Sequence, residues 1–203
     1  MSLPDKSIDP KILCSAKEEF MAKGYADASL RTICQKAGVT TGALYKRFAG
    51  KEALFEALVQ PTLQDIEAFA SRTEKYDYEQ LSKNRMQTVW DMSVETLKAV
   101  VEFSYEHYDD LKLLLCHADG SVHSDFLNDF VTDHTKRTIA FANAAYQNGI
   151  TQIHIDEDEI HMALTAFWST LFEPIKHDLP KEKALQYCEI VAKLFNWHAV
   201  FGF

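Results

Sequence analysis

Apolar residues recur along this chain with a helical period almost everywhere. Ile12, Leu13, Ala16, Phe20 and Met21 form one stripe, which predicts a helix from Pro10 to Lys23. Asp9 suits its N-cap, Pro10 its first helical position and Gly24 its end. Leu30, Ile33, Cys34 and Ala37 predict a second helix capped by Ser29, with Gly38 breaking it and Val39 plugging the corner. A third begins at the hydroxyl cap Thr40 and runs to Phe48, with Leu44 and Phe48 inward. A fourth starts at Lys51, carries Leu54, Ala57, Leu58 and Leu63 on its apolar face, bends at Pro61 and reaches the region of Arg72. Further helices are expected over 78–108, 109–118, 124–148, from an Asp156/Glu159 capping box to Lys176, and over 180–200. Thr151–Ile155 alternates, but it is short and isolated and reads as a linker. The pattern predicts an all-α fold of about nine helices, a three-helix head followed by a helical bundle.

Composition supports this. Among 203 residues there are seven glycines and five prolines, with 47% hydrophobic and 25% charged residues, an ordinary globular balance that leans towards helix. No apolar run has the length of a membrane span, and the N-terminal MSLPDKSIDPK has no apolar core of a signal peptide. Cys14, Cys34, Cys116 and Cys188 are widely spaced, form no CxxC pair and fit apolar helix positions in a reducing compartment, so a cytoplasmic protein is expected. Nothing argues for a redox-sensing role at Cys116.

Charge changes the picture more. The chain carries a formal charge of −9, yet Ser29–Lys51 holds five basic residues and no acidic one. Residues 1–55 sum to +3 and residues 56–203 to −12. A basic head on an acidic body suggests that only the head meets a polyanion, and a helix, tight turn and second helix is a common way to enter the DNA major groove. Two domains follow, 1–55 and 56–203.

The head carries Ile12-Leu13, Ala16, Phe20, Gly24, Ile33, Ala37-Gly38-Val39, Gly42, Leu44-Tyr45, Phe48, Lys51 and Leu54. In this register it resembles the DNA-binding domain of the TetR family of bacterial transcriptional regulators. The rest of the chain agrees with that family only in length and helicity. On physical grounds, the third helix leads with the small residues Thr40, Thr41, Gly42 and Ala43, which suit close approach to a groove about 12 Å wide. Thr41 and Lys46 face away from Leu44 and Phe48 and are candidates for base contacts. Tyr45, Arg47, Lys51 and Arg31 are candidates for phosphate, although Arg31 could equally pair with a nearby carboxylate. Arg47 stands where the family often has His, and Lys46 lies at a variable position, which leaves the operator sequence open.

The resemblance implies a homodimer on a palindromic double-stranded DNA operator, acting as a repressor more often than an activator, with a small effector bound by the C-terminal domain. Leu164, Phe167, Trp168, Leu171 and Phe172 on one helix, with Tyr187, Val191, Leu194 and Phe195 on the next, form stripes wide enough for a dimer interface, or for a central core. Trp90, Phe103, Tyr105, His107, Tyr108, Cys116, His117 and Phe130 mix aromatic surface with polar handles, as a pocket for an apolar or aromatic effector would, and as plain core also would. The acidic body leans towards a neutral or cationic effector. The pairs His117/His123 and His154/His161 lack metal-ligand spacing, so no metal and no cofactor is expected. No glycine-rich phosphate loop, GxSxG or HExxH is present, so no catalytic site is assigned. The competing readings are a helical DNA-binding adaptor or architectural protein without an effector, and a helical enzyme or carrier whose head no longer reads DNA.

Overall fold

The computed structural model describes residues 8–86, 89, 90 and 92–202; positions 87, 88 and 91 of the helix expected over 78–108 lie outside them. The described residues form ten α-helices and no strand. They divide into two compact units, one made of the chain up to Asp65 with Asp109–Phe126, the other of Ile66–Tyr108 with the chain from Leu127 onward. The units are therefore not consecutive blocks of sequence.

In the first unit, α1 (Asp9–Asp27) buries Ile12, Ala16 and Phe20. Ile8, not Asp9, occupies its N-cap position; the Asp9 carboxylate instead takes Arg47 Nε at 2.6 Å. Gly24 has φ 73°, ψ 166°, which interrupts the helix and turns the chain so that Tyr25 faces inward. The helix α2 (Leu30–Ala37) starts where Ser29 Oγ accepts the Thr32 N–H and ends at Gly38, which is left-handed at φ 68° while Val39 N–H bonds back to Cys34 O at 3.0 Å. Thr40 Oγ1 accepts the Ala43 N–H and opens α3 (Thr41–Tyr45). Regular helix stops at Tyr45, earlier than expected, and the chain leaves through a turn in which Arg47 and Phe48 N–H both bond to Leu44 O at 2.9 Å. The first part of α4 (Lys51–Ser82) and all of α6 (Tyr108–Cys116) but its first residue complete the unit. Lys17 Nζ on α1 pairs with Asp110 at 2.7 Å, and Thr62 on α4 donates to the same carboxylate at 2.9 Å.

Helix α4 continues through Pro61 into the second unit, where it runs ten residues past the expected end near Arg72. The helix expected over 78–108 is broken: α5 (Val94–Glu106) begins only after Ser93, whose Oγ caps the Thr96 N–H. Asn84 and Trp90 adopt φ 55° between α4 and α5, so Met86 and Val89 pack against Leu81, Phe141 and Ala145 rather than along a helix stripe. The remaining elements are α7 (Phe126–Gln147), whose first residue belongs to the first unit, α8 (Glu157–Lys176), α9 (Lys181–Leu194) and α10 (Trp197–Phe201). The single helix expected over 180–200 is two, because the chain leaves helical geometry at Phe195 and Asn196 restarts it by capping the Ala199 N–H. The Asp156/Glu159 capping box forms in both directions. Thr151–Ile155 is a linker, held where buried Thr151 donates to Phe201 O at 2.6 Å. Helix α9 packs along α5 and against α8, and Arg137 ties α7 to α4 by gripping Glu67 with two short bonds, Glu74 at 3.0 Å and Asp133 at 2.8 Å.

One turn along α4 from Arg137's partners, the Asp77 carboxyl is pushed up to about 7, first by burial and then by the charge of Glu74. The folded protein thus favours the protonated acid, so this group weakens the fold progressively as pH rises from its unfolded value near 4 towards 7. Asp77→Asn should leave the melting temperature unchanged near pH 4, raise it increasingly up to pH 7 and add nothing further above. Circular dichroism melts across that range measure this; a gain independent of pH would show that the carboxyl does not titrate there.

Candidate nucleic-acid interface

The expected DNA-facing residues lie around one short helix. Leu44 is fully buried, while Thr40, Thr41, Gly42, Tyr45 and Lys46 are exposed. Because α3 has only five residues, one inward anchor, Leu44, fixes its rotation, and the caps on either side fix its ends. Thr40 spends its hydroxyl on the Ala43 N–H, leaving Thr41 as the free hydroxyl of the first turn. Arg31, in the first turn of α2, is exposed and makes no ion pair with a carboxylate among the described residues, as is also true of Lys46.

The other two cations are engaged within the head. Arg47 Nε contacts Asp9 at 2.6 Å and its Nη1 donates to Ala43 O at 3.1 Å, with the side chain only 12% exposed. Lys51 Nζ donates to Ala26 O at 2.9 Å and Ala28 O at 3.4 Å, and stands 4.6 Å over the Tyr25 ring. A guanidinium so placed pins the end of α3 to α1, and the ammonium pins α4 to the turn before α2. Of the four basic candidates, Arg31 and Lys46 are the exposed ones. Sequence reading missed the residues that hold this frame. The Tyr25 hydroxyl donates to Glu52 at 2.7 Å and its pKa is pushed up to about 12, by burial first and then by that carboxylate. Tyr25 N–H donates to His117 O at 2.7 Å, and buried Glu19 receives Lys36 Nζ at 3.5 Å. The one signal available was Tyr25 directly after Gly24.

The residues expected around an effector are divided. Cys116 and His117 belong to the first unit, Cys116 being exposed and His117 giving its carbonyl to Tyr25. In the second unit Phe103 lies between Phe69 and His107, at ring distances of 5.3 and 4.7 Å. Tyr105 and Tyr108 face one another at 5.4 Å and donate to Leu179 O and Asp178, each at 2.7 Å. Trp90 and Phe130 meet elsewhere, around His134. The residues of the expected dimer stripe differ in exposure. Leu164, Phe167, Trp168, Leu171, Phe172 and Val191 are buried within the single chain, since α7, α9 and α10 already cover that side of α8. Tyr187 and Phe195 are half-buried, and Leu194 is 64% exposed. The surface left open carries Met162 (64% exposed) and Ala166 on α8 and Tyr187, Ile190 (53%) and Leu194 on α9. Among the described residues no helix is long and apolar enough to cross a membrane, and no three His, Cys, Asp or Glu side chains gather as metal ligands would.

Comparison with known proteins agrees with this geometry. The family model for bacterial regulatory proteins of the tetR family matches residues 12–58. The HTH-type transcriptional regulator UidR of Escherichia coli K12 is 39% identical over 62 residues, a stretch covering 30% of this chain and 30% of UidR. A TetR-like regulator from Rhodococcus sp. RHA1 has the same fold along the whole of both chains, with a TM-score of 0.55 at 17% identity. NalD of Pseudomonas aeruginosa, described as the secondary repressor of the MexAB-OprM multidrug efflux pump, matches over 93% of each chain with a TM-score of 0.54, also at 17% identity. With the helix-turn-helix in that register, residues 12–58 form a DNA-binding head of the tetR family of bacterial regulatory proteins, with an all-α body behind it.

Proposed function

We propose that this protein is a cytoplasmic, ligand-responsive transcriptional repressor that grips a palindromic operator as a homodimer, with DNA read by residues 1–55 and dimerisation and effector binding assigned to residues 56–203. The observation that carries this reading is the outward side of α3. Thr41, Tyr45 and Lys46 are exposed on a capped helix whose surrounding segment, Ser29–Lys51, has no acidic residue in a chain of net charge −9. Thr41 offers a methyl to thymine and Lys46 a donor to guanine, while Tyr45 and Arg31 reach phosphate. Two such heads act together when their recognition helices sit one DNA turn, ~34–36 Å, apart. An effector with higher affinity for another arrangement lowers operator occupancy by that difference in affinity.

The basic residues separate into two experimental classes. Lys46→Ala and Arg31→Ala should each weaken operator binding and lower the slope of log K against log salt by about 1 per head. Lys51→Ala and Arg47→Ala should instead lower the melting temperature by about 2–4 °C, the equivalent of about 1 kcal/mol of lost bonding in a chain of this size. Gel-shift salt titrations on DNA selected from a random pool, with parallel thermal melts, distinguish the classes. Unchanged slopes for Lys46→Ala and Arg31→Ala would remove α3 and α2 from the interface.

Dimerisation is assigned to the open apolar surface of α8 and α9. Ile190→Glu with Leu194→Glu places two like charges on a surface that a second copy would cover, which a desolvated interface does not tolerate. Sedimentation equilibrium should show the wild type as a dimer and the double variant as a folded monomer. A double variant that stays dimeric would relocate the interface.

A further inference from the structure

All three tryptophans of the chain, Trp90, Trp168 and Trp197, meet in one aromatic cluster of the second unit. Helix α7 adds Phe130 and His134, and the cluster is graded from outside to inside. Trp90, Phe130 and His134 keep part of their surface open, whereas Trp168 is 8% and Trp197 3% exposed. The imidazole of His134 stacks on Phe130 (5.7 Å, 24°), meets Trp168 edge-on at 5.1 Å and lies 6.5 Å from Trp90.

Three features set this cluster apart from ordinary core. First, the buried indole Nε1 atoms of Trp168 and Trp197 have no hydrogen-bond acceptor among the described residues. An indole N–H is a donor only, and buried donors are almost always paired. Second, His134 makes no hydrogen bond to a described residue, and burial lowers its pKa to about 4, so the ring is a neutral group reached from one side. Third, Trp90 sits at φ 55°, a strained backbone for a bulky residue, in the segment between α4 and α5, and His198 on α10 contacts the neighbouring Val89 carbonyl at 2.9 Å. No lysine, arginine or carboxylate belongs to the described cluster. Asp133, next to His134 in the chain, is paired with Arg137.

We infer that Trp90, Phe130 and His134 form the seat of an uncharged, planar aromatic molecule bearing a hydrogen-bond acceptor, which the orphaned indole N–H of Trp168 engages. This names the class of the effector and rests on the ligand-responsive reading above. Planarity follows from the ring gallery, whose members offer faces and edges to a flat guest. Neutrality follows from the lack of a counter-charge among the described residues of a desolvated cluster. The acceptor follows from the unpaired donors. A quaternary ammonium ion would also suit the ring faces but would leave both indoles unpaired.

The test titrates the full chain by calorimetry with coumarin, acetophenone and isoquinoline as neutral acceptors. Naphthalene serves as a flat probe without one, and benzyltrimethylammonium as a cation. At least one acceptor probe should bind with Kd below about 1 mM, and Trp168→Phe, which keeps a ring and removes the N–H, should weaken it about tenfold while altering naphthalene less than about twofold. Indole N–H resonances of the ¹⁵N-labelled wild type give a readout that does not depend on the variant's folding: the Trp168 proton should move downfield with the acceptor probe and not with naphthalene. No acceptor probe binding, an unmoved Trp168 resonance, or preference for the ammonium ion would each overturn the seat. The operator gel shift separates the two readings. Binding that needs Trp168 but leaves DNA affinity unchanged would uphold the seat and remove its effector role. A DNA response to the acceptor probe that survives intact in Trp168→Phe would keep the regulator and overturn the seat.

Discussion

The head depends on the way Tyr25 is held. Gly24, in a backbone region that other residues rarely adopt, turns the chain out of α1 and delivers the Tyr25 ring to Phe20 and Phe55, at centroid distances of 5.9 and 5.3 Å. Each polar edge of this residue is then used: its hydroxyl by Glu52, its N–H by the carbonyl of His117, its ring face by the ammonium of Lys51. Glu52 also receives Val122 N–H at 3.4 Å, and the adjacent Glu56 meets His123 at 2.6 Å. The start of α4, the end of α1 and the chain after α6 are thereby joined around one aromatic residue. With that frame fixed, α2 and α3 have one place to pack, and α3 needs only Leu44 to set which side faces outward.

This frame explains why the five basic residues of Ser29–Lys51 are not equivalent. Arg47 and Lys51 lie next to acceptors that the fold creates, the Asp9 carboxylate and the carbonyls of Ala26 and Ala28 at the end of α1. Lys36 is drawn to Glu18 and buried Glu19. Arg31 and Lys46 are exposed and make no ion pair with a carboxylate among the described residues. A basic island read as a single electrostatic feature thus separates into cations that build the head and cations that present it.

The second unit shows a comparable separation among apolar residues. The stripe on α8 is wide because α7, α9 and α10 all pack on it, so most of its width is consumed within one chain. What remains open is a narrower surface with Met162, Ile190 and Leu194. The aromatic residues around His134 bring Trp168 and Trp197 into the core while their indole donors find no acceptor among the described residues.

The sequence by itself determined the helices whose ends carry local chemistry. Ser29, Thr40, Gly38 and the Asp156/Glu159 box act through hydrogen bonds spanning three or four residues, so α2, the start of α3 and α8 were legible from residue type and spacing. So was the register Ala37-Gly38-Val39 to Leu44-Tyr45, because a helix-turn-helix leaves few choices for its corner and inward anchor. Tertiary structure decided what contacts distant in sequence control. Arg47 finds Asp9 across 38 positions of chain, Tyr105 reaches Leu179, and His198 meets Val89, none of which a local pattern encodes. The break between α4 and α5 has the same origin: Met86 and Val89 carry a helical spacing, but burying them against Phe141 and Ala145 favours a bent path over a continued stripe. Periodicity reports that a face will be buried. Which partner buries it, and therefore which side chains stay free to meet DNA, a second copy or a ligand, is settled by the packing of the whole chain.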